Sequence, residues 1–222
     1  MNELIVNNYP KSSVTEAIKT VRTNLRFSSI EKDIKTILVT SSMSGEGKSF
    51  VSANLATSYA NGNERVLLID CDLRRGRQAK TFGIKEDKGL SLLLLEDIKN
   101  YTKYIFKTDI ENLSVLPNGI VPPNPSELLG SEKMSELMKE LRKNYDIIII
   151  DSPPVSAVTD ALVIATLSDK IVIVCSYGKT PADLLKETKK NLEGVSNKIA
   201  GVVINKMKRE KNSKYYGDGY YE

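Results

Sequence analysis

Six short apolar runs, separated by longer segments, constrain the fold of this 222-residue chain more than any other feature. The runs are rich in Ile, Val and Leu at consecutive positions, which is typical of parallel strands buried on both faces. They span residues 36–42, 65–70, 112–117, 146–151, 170–176 and 199–205. Their alternation with helical patterns predicts a single α/β domain with a mostly parallel central sheet and helices on both faces.

Five segments carry apolar residues at helical spacing, and they complete this alternation. Ser131 is placed to cap one of them, and Pro181 suits the first turn of another. The proline-rich stretch at 117–130 predicts a loop before a helix. The predicted helices span about 13–27, 49–62, 131–144, 159–169 and 181–194. Periodicity ends near Met207, so we expect a domain over residues 1–206 and a disordered, tyrosine-rich tail over 207–222.

The strongest local signal is SMSGEGKS, residues 42–49, between the first apolar run and a helical pattern. It follows the phosphate-loop pattern G-x-x-x-x-G-K-[ST], except that Ser42 stands at the first position. The loop's N–H groups can bind phosphate oxygens, Lys48 would contact the β- and γ-phosphates, and Ser49 would ligate Mg²⁺. The predicted nucleotide-binding residues are Ser42, Met43, Ser44, Gly45, Glu46, Gly47, Lys48, Ser49 and Phe50. A glycine turn before an ordinary helix is the weaker alternative.

Three aspartates follow two later runs, at the end of the strands where α/β proteins bind ligands. Asp70 and Asp72 are two residues apart, so on an extended chain they can point the same way. Asp151 follows four isoleucines, where phosphate-loop ATPases hold Mg²⁺ through water. We therefore expect Ser49, Asp70, Asp72 and Asp151 to surround the Mg²⁺ of a bound nucleotide. The alternative is polar strand ends, with one aspartate of the first pair capping the next helix.

Asn205 ends the last apolar run and is a weaker candidate. Its side-chain amide can donate to and accept from an adenine edge, which would add it to the nucleotide site. An asparagine that ends a strand in a turn explains the residue equally well.

Composition excludes several function classes. The chain has no histidine, which removes Ser-His-Asp and Cys-His catalysis and most zinc chemistry. Its net charge of +4 is small and interspersed, so it does not indicate a nucleic-acid partner. Cys71 and Cys175 lie in apolar runs and fit buried cysteines of a reducing cytosol. Because no run approaches the roughly 20 apolar residues of a membrane span, we expect a cytoplasmic chain.

Three linked motifs, TSSMSGEGKS, LLIDCDLR and IIIDSPP, together resemble the bacterial tyrosine kinases of capsule and exopolysaccharide synthesis. That family lies within the deviant phosphate-loop ATPases, which include chromosome-partition and septum-site proteins. The middle motif is similar to the family's extra aspartate motif, with Asp70, Asp72 and Arg74 in place. The resemblance extends from about Ser13 to the C-terminus.

The resemblance implies an ATP- and Mg²⁺-dependent, non-specific protein-tyrosine kinase with a catalytic set of Asp72, Asp70 and Lys48. Asp72 would be the general base, and Asp70 and Asp151 would organise Mg²⁺ and its waters. The resemblance also implies control of capsular or exopolysaccharide synthesis and export. Its expected partners are a transmembrane activator that brings the chain to the inner face of the cell membrane and a cognate tyrosine phosphatase.

The segment EAIKTVRTNLRF, residues 16–27, resembles the family's self-association helix E-x-x-R-x-x-R. Glu16 and Arg22 are in place, and Lys19 stands where the first arginine would be. This predicts a homo-oligomer, by resemblance a ring, whereas a solvated amphipathic surface is the alternative. The segment NPSELL at 124–129 also resembles the family, without a chemical role that its residues suggest.

The chain ends in SKYYGDGYYE, with four tyrosines in its last eight residues. The 17 residues that follow Asn205, up to Glu222, can extend on the order of 55–60 Å, far enough to reach a neighbouring subunit. We therefore predict autophosphorylation of the tail between subunits, and a disordered end without function is the alternative. The predicted phosphate acceptors are Tyr215, Tyr216, Tyr220 and Tyr221.

Two other functions compete with the kinase. A partition- or septum-type switch ATPase would hydrolyse ATP without phosphorylating protein, but those relatives carry a lysine at the position of Met43. A binding module whose nucleotide only locks a polymerisation surface would bind ATP without turnover.

Overall fold

The computed structural model describes residues 3–28, 34–85, 87–156 and 159–207, which form one sheet covered by helices. The strands are β1 (Thr36–Ser41), β2 (Val66–Asp70), β3 (Phe106–Lys107), β4 (Leu113–Leu116), β5 (Ile147–Asp151), β6 (Lys170–Ser176) and β7 (Ile199–Asn205). Each of the six predicted runs contains one of these strands. The predicted α/β architecture is therefore confirmed.

The seven strands are ordered β3-β4-β2-β5-β1-β6-β7. All neighbours pair in parallel except β3, which runs antiparallel to β4 at one edge of the sheet. Only two residues long, β3 is too short to carry an apolar pattern, and the sequence did not predict it. Asp151 lies in register with Asp70 on one side and with Val39 of β1 on the other. The two carboxylates thus meet beside the loop that follows β1.

The helices lie on both faces of this sheet. They are α1 (Ile5–Asn8), α2 (Ser13–Phe27), α3 (Lys48–Ala60), α4 (Gln78–Thr81), α5 (Leu90–Leu95), α6 (Pro125–Leu129), α7 (Glu132–Asn144), α8 (Asp160–Leu167) and α9 (Ala182–Asn191), with 3₁₀ helices at Ile98–Tyr104 and Glu193–Lys198. Strand side chains alternate between two cores, as their period of two requires. In β2, Leu67 and Ile69 join the core beneath α5, α7 and α8, whereas Val66 and Leu68 join the core beneath α1, α2 and α3.

Helix boundaries follow local chemistry where a cap is present. The Ser131 hydroxyl accepts a hydrogen bond from the Met134 N–H at 3.3 Å, which confirms the predicted cap of α7. The loop prediction for 117–130 was wrong over its second half, because Pro125 occupies the first position of α6. Proline lacks an N–H that this position would leave unpaired in any case, so it starts a helix as readily as it ends one.

The described helices include none long and apolar enough to cross a lipid bilayer. Cys71 and Cys175 are both buried and unpaired, in agreement with the sequence prediction.

Candidate active site

The glycine loop joins β1 to α3, and two of its residues adopt a left-handed conformation. Gly45 has φ +81° and Gly47 has φ +95°, values that favour glycine. A Cβ added at Gly45 would meet nothing within 4 Å, whereas one at Gly47 would overlap the side-chain amide of Asn205. Gly47 is therefore required both for its backbone angle and for the close approach of β7.

Ser42 occupies the position where the phosphate-loop pattern has glycine, and the fold supplies its partner. Its hydroxyl is buried and lies 2.9 Å from the Thr188 hydroxyl of α9. Its backbone carbonyl accepts a hydrogen bond from the Ser156 hydroxyl. Because both polar groups of the residue are paired, a serine is accommodated at a position that does not need left-handed backbone.

Glu46 belongs to the glycine loop, stabilises it through hydrogen bonds of its side chain, and is almost fully buried. Its carboxylate accepts a hydrogen bond from the Met43 N–H at 2.8 Å and another from the Thr180 hydroxyl. The same hydroxyl accepts from the Ser176 N–H at 2.8 Å, at the end of β6. Glu46 was predicted only as one member of the nucleotide loop. The structure adds that it ties the loop to the neighbouring strand.

Asp70 organises the turn that follows β2. One of its oxygens accepts from the Asp72 N–H at 3.1 Å, and the other accepts from the N–H groups of Arg77 at 2.8 Å and Gln78 at 2.9 Å. These three bonds use most of the roughly four acceptor sites of a carboxylate. The turn in turn places Asp72 next to the loop.

Asp72 and Lys48 form an ion pair at the mouth of the loop, with the Lys48 ammonium 3.1 Å from Asp72 Oδ2. Both side chains are largely buried, at 13% exposure for Lys48 and 7% for Asp72. The other Asp72 oxygen accepts from the Arg75 N–H at 2.9 Å. The structure thus brings the predicted general base and the predicted phosphate-binding lysine into direct contact.

Asp151 completes a cluster of buried carboxylates. Burial raises the pKa of Asp70, and the negative charge of Asp151 raises it further. Burial likewise raises the pKa of Asp151, although the Lys48 ammonium and the nearby polar side chains of Ser49 and Gln78 oppose this. Carboxylates in such surroundings are stabilised in the ionised form by an added cation.

The residues present fit Mg²⁺ held mainly by phosphate and water. Within the part of the chain that the structure describes, Asp151 Oδ1 is buried without a hydrogen-bond partner, so this oxygen is available to a ligand. Among the described residues no three acidic or cysteine side chains form a ready-made metal cage. Mg²⁺ usually takes one or two carboxylates together with substrate phosphates and water. Ser49 and Asp151 would hold this ion, and the assignment stays a prediction.

Sequence reasoning missed two residues that support the cluster, Gln78 and Asp160. Arg74 of the second motif donates to the Asp160 carboxylate at 3.2 Å, and Ser126 of α6 donates to the same carboxylate. Asp160 begins α8 and is fully buried. Through its hydrogen bonds with Arg74 and Ser126 it links the aspartate motif to the NPSELL segment. An acidic residue at a helix start was the only sequence signal for it.

Asn205, the weaker candidate for the nucleotide site, lies at the end of β7 next to the glycine loop. The Asn205 amide nitrogen donates to the Glu46 carbonyl at 2.9 Å, and its oxygen accepts from the Lys206 N–H at 2.8 Å, so a contact with adenine stays a prediction.

On α2, Lys19 and Glu16 pair at 2.8 Å, and Arg22 donates to the Ser58 carbonyl of α3. Phe50 packs, half-buried, against the core beneath α3. The four predicted acceptor tyrosines lie outside the described residues.

Comparisons with known proteins agree with this geometry. Residues 34–205 match a protein family described as an AAA domain. The chain is 40% identical over 216 residues to the putative tyrosine-protein kinase CapB of Staphylococcus aureus, covering 97% of this chain and 94% of that protein. It is 38% identical over 212 residues to the tyrosine-protein kinase YwqD of Bacillus subtilis (strain 168), covering 96% and 88%. A crystal structure of the chimerical protein CapA2B2 superposes with a TM-score of 0.89 at 37% identity, covering 94% and 92%.

Proposed function

This chain belongs to the bacterial tyrosine kinases of capsule and exopolysaccharide synthesis, and from that premise we propose that it phosphorylates the tyrosines of its own C-terminal tail. The phosphate donor is Mg·ATP, and transfer occurs chiefly between subunits. The observation that carries the proposal is the contact of Lys48 with Asp72 at the mouth of the glycine loop, beside Asp151. No water-activating histidine is needed, because the acceptor is a phenol.

Transfer begins when Lys48 leaves Asp72 for the β- and γ-phosphates. The 3.1 Å ion pair occupies one oxygen of Asp72, so binding of the nucleotide releases that oxygen. The tyrosine oxygen then attacks the γ-phosphorus in line, the bond from the γ-phosphorus to the bridging oxygen breaks, and ADP leaves. A phenol has a pKa of about 10, and Asp72 accepts its proton during transfer. Mg²⁺, when bound, neutralises charge on the phosphates.

Self-association would bring one subunit's tail to another subunit's site. Glu16, Lys19 and Arg22 are the proposed contact residues, by resemblance to the family's helix motif. The Glu16 and Lys19 side chains are about half exposed, at 42% and 46%, and so remain accessible for such contacts. A transmembrane activator would recruit the chain to the inner face of the membrane, and a cognate phosphatase would reset the tail.

A phosphosite map of the full chain tests the proposal. The chain and its Lys48→Met variant are incubated with Mg·ATP at high protein concentration, with and without the activator's cytoplasmic segment, and every phosphate is located by mass spectrometry. Lys186→Met serves as the matched control, because Lys186 is 78% exposed on α9 and pairs there with Asp183, away from the glycine loop. We expect tail phosphorylation in the wild type and the control and none in Lys48→Met. Release of phosphate from ATP with unmodified tyrosines would instead establish a switch ATPase. The acceptor sites expected are Tyr215, Tyr216, Tyr220 and Tyr221.

A further inference from the structure

Gln78, the first residue of α4, contacts all three elements of the site although no motif includes it. Its side-chain nitrogen donates to Asp151 Oδ2 at 2.8 Å and to the Ser49 carbonyl at 3.1 Å. Its backbone N–H donates to Asp70 at 2.9 Å. The residue is fully buried. One residue therefore joins the end of β5 and the first turn of α3 through its side chain, and the aspartate that ends β2 through its backbone.

The contact with Asp151 makes the two oxygens of that carboxylate unequal. Oδ2 is held by the Gln78 amide, and Oδ1 is buried without a hydrogen-bond partner among the residues that the structure describes. The Gln78 amide cannot adopt the flipped orientation that exchanges its oxygen and nitrogen. Its oxygen would then face the Asp151 carboxylate and the Ser49 carbonyl, which are both acceptors. Gln78 thereby keeps one chosen oxygen of Asp151 available.

The chemistry of a neutral amide suits this position. A lysine or arginine would also donate to Asp151, but its positive charge would compete with a cation. A glutamate would place a third carboxylate against the Asp70–Asp151 pair. Glutamine supplies two N–H donors without charge, so it adds no positive charge that would repel a metal ion beside Asp151.

We propose that Gln78 is a positioning residue for magnesium: it holds Asp151 and the first turn of α3, which carries Ser49, so that both are set for the Mg²⁺ of a bound nucleotide. The inference rests on the proposed Mg·nucleotide site but not on the identity of the phosphate acceptor. The effect of Gln78 passes through Asp151 and Ser49.

Nucleotide binding to the full chain provides a test that needs no turnover. The affinity for ADP is measured by calorimetry with Mg²⁺ and with EDTA, and the ratio of the two affinities is the magnesium gain. In Gln78→Met, which keeps the volume and removes both donors, we expect the magnesium gain to fall about tenfold, as for other residues that orient metal ligands. Affinity for ADP in EDTA should change by no more than about twofold.

A matched variant separates positioning from stability. Thr57 is buried in α3 and donates to the Ala53 carbonyl at 2.9 Å, away from the cluster. Thr57→Val should lower the melting temperature without changing the magnesium gain. If Gln78→Met does not fold, Gln78→Asn is measured instead, because its shorter amide cannot reach both Asp151 and Ser49.

The outcomes for Gln78 and for the kinase can be told apart. A folded Gln78 variant whose magnesium gain equals that of the wild type overturns the inference and leaves Gln78 a structural residue. A wild-type chain without any magnesium gain overturns the inference together with the metal site. A wild-type chain that has the gain but whose tail is never phosphorylated refutes the kinase proposal alone.

Discussion

A comparison of alanine at Gly47 with alanine at Gly45 tests how the glycine loop is held against β7. Both glycines have left-handed backbone, at φ +95° and +81°. Only Gly47 lies against a neighbour, because its added Cβ would overlap the Asn205 amide, whereas Gly45 has nothing within 4 Å. The two substitutions therefore share the backbone penalty and differ in the contact with Asn205.

The magnitudes follow from these two terms. A left-handed residue other than glycine costs about 1–2 kcal/mol, which is the loss of unfolding free energy expected for Gly45→Ala. In Gly47→Ala, the Asn205 side chain must also move away and lose its 2.9 Å hydrogen bond to the Glu46 carbonyl. A net hydrogen bond contributes about 1 kcal/mol, so Gly47→Ala should cost about 2–3 kcal/mol.

Urea unfolding without nucleotide measures both variants, and a double-mutant cycle with Asn205→Ala isolates the contact. In the Asn205→Ala background, Gly47→Ala should cost only as much as Gly45→Ala does in the wild type. The coupling energy between Gly47 and Asn205 should be about 1 kcal/mol. Equal destabilisation by the two single alanines, or a coupling energy near zero, would refute the reasoning.

Two further predictions concern acid stability. Burial acts to raise the pKa of Asp169, but hydrogen bonds from the Thr36 and Lys35 N–H groups and from Arg142 hold it below its usual value. Its contribution to stability is therefore present above the unfolded pKa of about 3.9 and is lost as the pH falls. Asp169→Asn should lower the free energy of unfolding, measured in urea, by about 2 kcal/mol near neutral pH and by progressively less in acid. The side-chain hydrogen bond from Arg65 lowers the pKa of Asp146 to about 2, so the contribution of this pair to stability declines as the pH falls below about 3.9 and is lost below about 2. Because Asp146 is 42% exposed, Asp146→Asn should cost less than about 1 kcal/mol, and a larger loss would contradict the assignment of a surface pair.

The self-association prediction gains a physical constraint from the structure. Arg22, predicted to contact a neighbouring subunit, donates to the Ser58 carbonyl at the end of α3 within its own chain. Lys19 and Glu16 pair with each other on the exposed face. Any ring contact through these residues must therefore exchange existing partners, which weakens the net attraction available from each charge.

The sequence by itself determined the sheet, the main helices and the carboxylate edge. Apolar runs such as that of β5 identify buried strands because several consecutive apolar side chains must be removed from water, whatever the rest of the chain does. The loop pattern with Lys48 and the aspartates after β2 and β5 converge because parallel strands carry their carboxyl ends to one edge. The elements that escaped prediction include α1, β3, α4 and α5, which are two to six residues long and so too short for a periodicity to show.

Only the tertiary structure decided which distant side chains support that edge. Gln78 and Asp151 are 73 residues apart, and Glu46 and Thr180 are 134 residues apart. A glutamine at the start of a short helix and a glutamate in a loop carry no sequence signal for such partners, because both side chains are polar and are equally compatible with an exposed position. Their roles arise because folding removes water around them, and a buried polar group must then be paired by whatever the topology brings within reach.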